Sequence, residues 1–292
     1  MNTQGPVVVG IDGSPGAEAA LRWAVDEAGT RRIGVRLVCA HRMLPAYYEG
    51  MGMYVELPEQ TEAVRQAANR IVEDALAEAA RIAPDVEVRG GTVDGSPISA
   101  LLEESADSSL LVLGSRQRST LTSSILGSVS AAVVARAECP AVVVRGAAGL
   151  SEERAEVVVG VDGGPASQAL LEFGFDFASR RKAPLRAVLC WHPDLLASML
   201  WRPEPPAPTR AEAWLAEAIA GWQEKYPDVA VHSGVVRKHP AEGLVAEAAT
   251  AQLLVVGNRG RHAMAGTLLG SVSQAVVHSA TCPVAVVPTH SL

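Results

Sequence analysis

Two stretches of this sequence combine glycine spacing, arginine and a helix start in a way that suits phosphate. The clearer one is Gly257-Asn258-Arg259-Gly260-Arg261-His262-Ala263-Met264-Ala265-Gly266-Thr267-Leu268-Leu269-Gly270-Ser271. Ahead of it, Ala251 to Val256 is a short apolar run that ends β-branched and stops at glycine, which predicts a buried strand. Behind it, Val272 to His278 carries apolar residues at helical spacing, so a helix is expected from about Ser271. Glycine lets backbone approach a ligand with no Cβ in the way. A helix N-terminus offers unpaired N–H groups and a partial positive charge. Arg259 and Arg261 add charge inside the loop, and the whole reads as a phosphate cradle.

The device occurs twice. Gly114 to Ser128 has the same length, follows Leu110-Leu111-Val112-Leu113 and leads into Val129-Ser130-Ala131-Ala132-Val133-Val134. Each copy closes on a Cys-Pro step and a last strand, Ala141 to Val144 after Cys139-Pro140 and Val284 to Val287 after Cys282-Pro283. One glycine differs, because Gln117 stands where the other copy has Gly260.

The elements that must position these loops also repeat. Pro6-Val7-Val8-Val9-Gly10-Ile11-Asp12-Gly13-Ser14 returns as Glu156-Val157-Val158-Val159-Gly160-Val161-Asp162-Gly163-Gly164. A period this long means duplicated domains rather than a solenoid. They are expected at residues 1–148 and 154–292, joined by a linker from Gly146 to Glu156.

In each half strand 1 ends at Asp12 or Asp162, and Ser14-Pro15 or Gly164-Pro165 opens a helix as cap and proline. Strand 2 is read as Val35 to Ala40 or Leu185 to Cys190, and strand 3 as Val86 to Arg89 or Val229 to His232. The helix between them is read as Thr61 to Ile82 or Thr209 to Tyr226, and a third opens at Pro97 or Pro240. Short apolar strands alternating with helices predict an α/β fold, a parallel sheet covered on both faces. Such sheets bind ligands beyond the strand C-termini, where strand order reverses. Asp12, Ala40 and Gly114 fall there in one half, Asp162, Cys190 and Gly257 in the other. The sequence thus places one site per half. The segments after strand 2, Arg42 to Gln60 and Pro193 to Pro208, read as long loops that form a lid, a partner contact or plain packing.

Bulk properties exclude several classes. The chain has 292 residues, 48% hydrophobic and 20% charged, which is enough for two buried cores. A formal charge of -7 without a basic run argues against a nucleic-acid surface. No apolar stretch reaches the length of a membrane span, and the N-terminus has no signal-like segment, so a cytoplasmic protein is expected. Cys39, Cys139, Cys190 and Cys282 have no metal or redox spacing and are expected to be buried, reduced thiols.

With these motifs in view, the chain resembles the universal stress protein family, in its tandem, ATP-binding form. The family's fingerprint is glycine, two residues, glycine, nine residues, glycine, then serine or threonine. Gly257, Gly260, Gly270 and Ser271 match it completely, while Gly114, Gly127 and Ser128 match with one loss at Gln117. The resemblance implies two tandem doubly wound domains, each a five-stranded parallel sheet of order 3-2-1-4-5. It implies that Gly160, Val161, Asp162 and Cys190 line the base and ribose end. It further implies that Val256, Gly257, Arg259 and Gly260 take the ribose and first phosphates, and that Gly270, Ser271, Val272 and Ser273 hold the distal ones. The matching set in the first half is Gly10, Ile11, Asp12, Ala40, Leu113, Gly114, Arg116, Gln117, Gly127, Ser128, Val129 and Ser130. The family also implies pairing through the last strands, here between the two halves, together with homodimers and a protein partner of unknown identity.

Other readings of single residues stay open. Asp12 and Asp162 suit a turn or cap as well as ligand or Mg²⁺. Ser128 and Ser271 suit N-caps as well as phosphate. His41, His192, Arg261 and His262 read better as packing or solvated loop residues than as catalytic ones. The chain has no Gly-Lys-Ser/Thr step, and its only lysines are Lys182, Lys225 and Lys238. The expected function is therefore an ATP-binding regulator of stress responses with no catalytic residue. The alternative is a slow Mg²⁺-dependent ATPase or a phosphoryl or adenylyl transferase, with Asp12 or Asp162 on the metal. A nucleotide-free interaction scaffold is the third.

Overall fold

The computed structural model describes residues 4–42, 46–48, 53–55, 58–115, 127–145, 156–191, 208–260 and 269–289. These fall into two compact units, one of residues 4–115 with 127–145 and one of residues 156–289. Each is an α/β unit built on a five-stranded parallel sheet.

In the first unit the strands are β1 (Val7–Gly10), β2 (Val35–His41), β5 (Val88–Asp94), β6 (Leu110–Gly114) and β7 (Ala141–Val144). Parallel pairing gives the order β5-β2-β1-β6-β7. The helices are α1 (Pro15–Arg31), α2 (Pro58–Ile82), α3 (Pro97–Asp107) and α4 (Ser128–Arg136). The second unit repeats this with β8 (Val157–Val161), β9 (Leu185–Cys190), β10 (Val231–Val236), β11 (Leu253–Gly257) and β12 (Val284–Val287), in the order β10-β9-β8-β11-β12. Its helices are α5 (Ser167–Arg181), α6 (Pro208–Lys225), α7 (Pro240–Glu247) and α8 (Ser271–Ser279). Both orders are the expected 3-2-1-4-5.

The central strands are buried on both faces, as their unbroken apolar runs require: Val7, Val8, Val9, Leu110, Leu111 and Val112 are all at 0% exposure. Neighbouring residues of β8 reveal the two helix layers. A Cβ on Gly174 of α5 would meet Val159, whereas a Cβ on Gly160 would meet Leu244 of α7. Successive strand residues point to opposite faces, so α5 and α7 cover opposite sides of the sheet. The halves also share an ion pair that ties strand 2 to the third helix: Arg36 to Glu104 at 2.7 Å and Arg186 to Glu247 at 2.6 Å.

Several boundaries differ from the sequence reading. Strand 3 lies later in both halves and is longer, at Val88–Asp94 and Val231–Val236, because its residues are exposed or half-buried at the sheet edge and include glycine and polar positions that carry no apolar signal. Helix α2 starts at Pro58, and the segment before it contains an antiparallel pair, β3 (Ala46–Tyr48) with β4 (Met53–Val55). In the first half Ser14 caps α1 as expected, its hydroxyl accepting from Ala17 N–H at 3.2 Å. In the second half Gly164 has no side chain for the task, and α5 begins only at Ser167. Both first helices end on a basic residue in left-handed backbone, Arg32 at φ 58° and Lys182 at φ 51°.

Candidate functional site

In each unit the strand order turns at the pair β1/β6 or β8/β11, and the predicted residues gather at the carboxyl ends of that pair. In the second unit Asp162 follows β8. Its Oδ1 accepts the Gly164 N–H at 2.8 Å and the Ser167 hydroxyl at 3.2 Å. The aspartate therefore fixes the turn into α5, which is the role that sequence left open beside ligand binding. Its other oxygen, Oδ2, lies 3.3 Å from where a Cβ on Gly260 would stand. The end of strand 1 and the second glycine of the fingerprint are thus neighbours in space.

The start of the glycine segment is built on β11. Val256 is buried in the sheet, and Gly257 closes the strand against the segment beyond β12. A Cβ there would come within 2.8 Å of the Thr289 methyl and 3.0 Å of the Arg259 carbonyl oxygen, so only glycine fits without movement. Arg259 and Gly260 follow, both exposed. The segment's far end is Gly270, which is the N-cap of α8 with φ -66°. Its N–H donates to the Asn258 carbonyl at 2.8 Å, joining the two ends.

Serine capping fails in both halves: the caps are Gly127 and Gly270, and Ser128 and Ser271 are the first helical residues, both exposed. The first-turn N–H groups of Ser271, Val272 and Ser273 have no intrahelical acceptor by helix geometry. The Ser273 hydroxyl donates to the Gly257 carbonyl, and the Ser130 hydroxyl does the same to Gly114 at 3.2 Å. These two serines hold helix to strand with their side chains, which leaves their backbone for a ligand.

In the first unit Gly10 ends β1, and Ile11 and Asp12 follow, the aspartate exposed with its Oδ1 accepting the Ser14 N–H at 3.1 Å. Leu113 is buried in β6, Gly114 closes that strand, and Gly127, Ser128, Val129 and Ser130 begin α4. Arg116 and Gln117 lie outside the described residues, as do Arg261, His262 and His192.

At the strand-2 end Ala40 and Cys190 occupy matching places. The Cys190 thiol packs on α7, where a Cβ on Gly243 would come within 2.6 Å of it. Burial pushes this thiol up to about 11, Glu247 adds to the rise and Lys238 opposes it. It is a packing group rather than a nucleophile. Cys39 and Cys139 are buried free thiols, and Cys282 is buried. His41 Nδ1 sits 3.9 Å from Asp94 Oδ1, too far for a hydrogen bond. Among the described residues no group of three or more His, Cys, Asp or Glu side chains could hold a metal, and no helix is long and apolar enough to cross a membrane.

Sequence reasoning missed Asn258 and Thr289. The available signal was that Asn258 stands where the first copy, also glycine before and arginine after, has Ser115.

The profile of the Universal stress protein family matches residues 5–145 and again residues 154–288. The chain belongs to the universal stress protein family. Among its relatives, a universal stress protein of Mycolicibacterium smegmatis is 38% identical over 300 residues, covering 98% of this chain and 97% of the relative. One of Mycobacterium tuberculosis is 36% identical over 288 residues, covering 96% of each. Among solved structures, a universal stress protein from Archaeoglobus fulgidus superposes with a TM-score of 0.75 over 99% of each chain at 17% identity, which supports the fold. The family match falls on both units, so the doubled site belongs to two copies of one family domain.

Proposed function

We propose that this family member is an ATP-binding regulator of stress responses, with nucleotide held at the carboxyl ends of β8 and β11 and, in the first unit, of β1 and β6. One observation supports this most directly. Asp162, Gly260 and the open first turn of α8 converge on one place, with the Gly270–Asn258 bond bringing the helix start to the strand end. A carboxylate suits a ribose hydroxyl, and a helix start preceded by an arginine-bearing loop suits phosphate. The residues fit such a ligand: the absent Cβ of Gly260 lets its backbone lie close to the Asp162 carboxylate, and a Cβ on Gly270 would meet nothing nearer than 3.5 Å. Bound phosphate would join the strand end to the start of α8 and so bias a partner surface or an assembly state.

Mg²⁺ fits as a companion of the phosphates rather than as a resident ion, because Mg²⁺ is commonly held by one or two carboxylates plus phosphate oxygens. Asp162 is the carboxylate in place for it, and Asp12 its counterpart. The same reading includes the family's pairing of Ala141–Val144 with Val284–Val287, homodimer formation, a protein partner and a cytoplasmic location. Light scattering with and without ATP tests the assembly part.

Native mass spectrometry of the purified chain tests the core claim. Retained adenine nucleotide is the expected result, and a nucleotide-free spectrum at saturating ATP refutes it. Steady hydrolysis of radiolabelled ATP that disappears in Asp162→Ala would replace the regulator with the slow ATPase.

A further inference from the structure

Asn258 is only 6% exposed, yet its polar groups reach three different segments. Its N–H donates to the Val287 carbonyl at 2.9 Å, extending the β11–β12 ladder by one step. Its carbonyl accepts the Gly270 N–H at 2.8 Å, so the start of the glycine segment meets the cap of α8. Its side-chain Oδ1 accepts both the N–H of Thr289 at 2.9 Å and the Thr289 hydroxyl at 2.7 Å. That hydroxyl also lies 3.3 Å from the Arg259 carbonyl. Strand end, helix cap and the segment beyond β12 are therefore tied at one residue.

Among the described residues the first unit lacks this tie. Ser115 occupies the equivalent place and is 1% exposed. Its N–H makes the matching ladder bond to Val144 at 2.9 Å, but its hydroxyl has no hydrogen-bond partner among the described residues. Counting from the paired strand ends, the sequence has Gly146 where the second copy has Thr289, so the hydroxyl donor is gone too.

We propose that Asn258 and Thr289 form a clamp that holds the Gly257–Gly260 backbone against the first turn of α8 before ligand arrives, making the second unit's site the tighter of two unequal nucleotide sites. This rests on the nucleotide-binding reading above. Backbone already fixed at Gly257–Gly260 and at Gly270 loses less conformational freedom when phosphate binds there, so the clamp raises affinity without touching the ligand. The effect belongs to the phosphate end of the nucleotide, since the clamp joins the segment to α8 and not to β9, where Cys190 lies.

The test is calorimetry of the full chain with ATP and, separately, with adenosine, on the wild type, Asn258→Ala, Thr289→Val and Thr289→Ser. Thr289→Val, which loses one hydrogen bond to Asn258, is expected to weaken ATP binding at the tight site about tenfold, and Asn258→Ala, which loses two, by at least as much. Adenosine binding stays unchanged, and Thr289→Ser restores ATP affinity because it keeps the hydroxyl. Should Asn258→Ala fail to fold, the isosteric Thr289→Val against Thr289→Ser carries the comparison alone. Equal losses for ATP and adenosine would make the pair merely structural and overturn the clamp. Variants that bind ATP like the wild type would overturn the clamp while leaving the nucleotide reading standing. A wild type that takes up no ATP would overturn both.

Discussion

Gly114→Ala and Gly257→Ala are the same substitution at equivalent strand ends, and they should behave differently. A Cβ on Gly114 would sit 2.2 Å from the carbonyl carbon and oxygen of Gly16, and 2.7 Å from Ala17 N. The contact is reciprocal, because a Cβ on Gly16 would sit 2.3 Å from the Ser115 carbonyl oxygen. Here the start of α1 and the end of β6 touch backbone to backbone, and relief needs about 1 Å of separation between them. Overpacking typically costs about 1–3 kcal/mol, and rigid backbone on both sides places this case at the upper end. Alanine lowers unfolded-chain entropy and returns roughly 0.5 kcal/mol of that. At Gly257 the obstacles are the Thr289 methyl at 2.8 Å and the Arg259 carbonyl oxygen at 3.0 Å. A methyl can turn aside, so the cost there is about 1 kcal/mol. Hydrogen exchange read on β1 and β6 peptides should show protection falling by nearly two decades in Gly114→Ala, and by less than one decade in the β8 and β11 peptides of Gly257→Ala. Equal losses in the two variants would refute the close-approach argument.

Gly270→Asp should fold normally, since its φ of -66° is ordinary and a Cβ there meets nothing nearer than 3.5 Å. Its carboxylate would face phosphate, so calorimetry should lose one ATP per chain while the melting temperature holds. Burial raises the Cys139 thiol from 9.0 to about 11, with the Ser108 hydrogen bond opposing the rise. A group raised on folding stabilises fully below its unfolded value and loses that contribution as pH climbs through the folded one. Urea midpoints should therefore fall between pH 9 and pH 11, and fall less steeply in Cys139→Ala. Lys182→Gly should raise stability by about 1 kcal/mol, because Lys182 caps α5 at a left-handed φ that costs a side chain; an unchanged urea midpoint would count against this.

Much of the scaffold was legible because burial forces pattern. Strands such as Leu110–Gly114 and Leu253–Gly257 are covered on both faces, so they read as unbroken apolar runs stopped by glycine. Edge strands carry no such constraint. Val88–Asp94 is mostly exposed and contains Gly90 and Gly91, and its boundaries were missed by several residues. The pair Ala46–Tyr48 and Met53–Val55 was missed because three-residue strands give too few alternations to count. At the site, the glycines and the aspartate could be found from spacing. Asn258 could not, since its role depends on Thr289, a partner 31 residues away whose position follows only once β11 and β12 are paired.

The two copies have diverged where the core does not constrain them. Valine runs fill β1 and β8 alike, and the ion pairs Arg36–Glu104 and Arg186–Glu247 are shared. Around the strand ends the copies part company. Gly16 lets α1 press on β6, whereas Ala166 carries a Cβ at that place and α5 starts two residues later than its counterpart. Asp12 is exposed with one Asx bond, while Asp162 is half-buried and holds both Gly164 and Ser167. Among the described residues the buried Ser115 hydroxyl has no hydrogen-bond partner, where Asn258 joins three segments. Each change moves the second unit towards a fixed turn and a strand end tied to the start of α8. A duplicated fold held by its sheet can accept such changes in one copy at little cost to stability. Two sites of unequal affinity are then what this chain should present, one filled at low nucleotide concentration and one that answers only when the concentration rises.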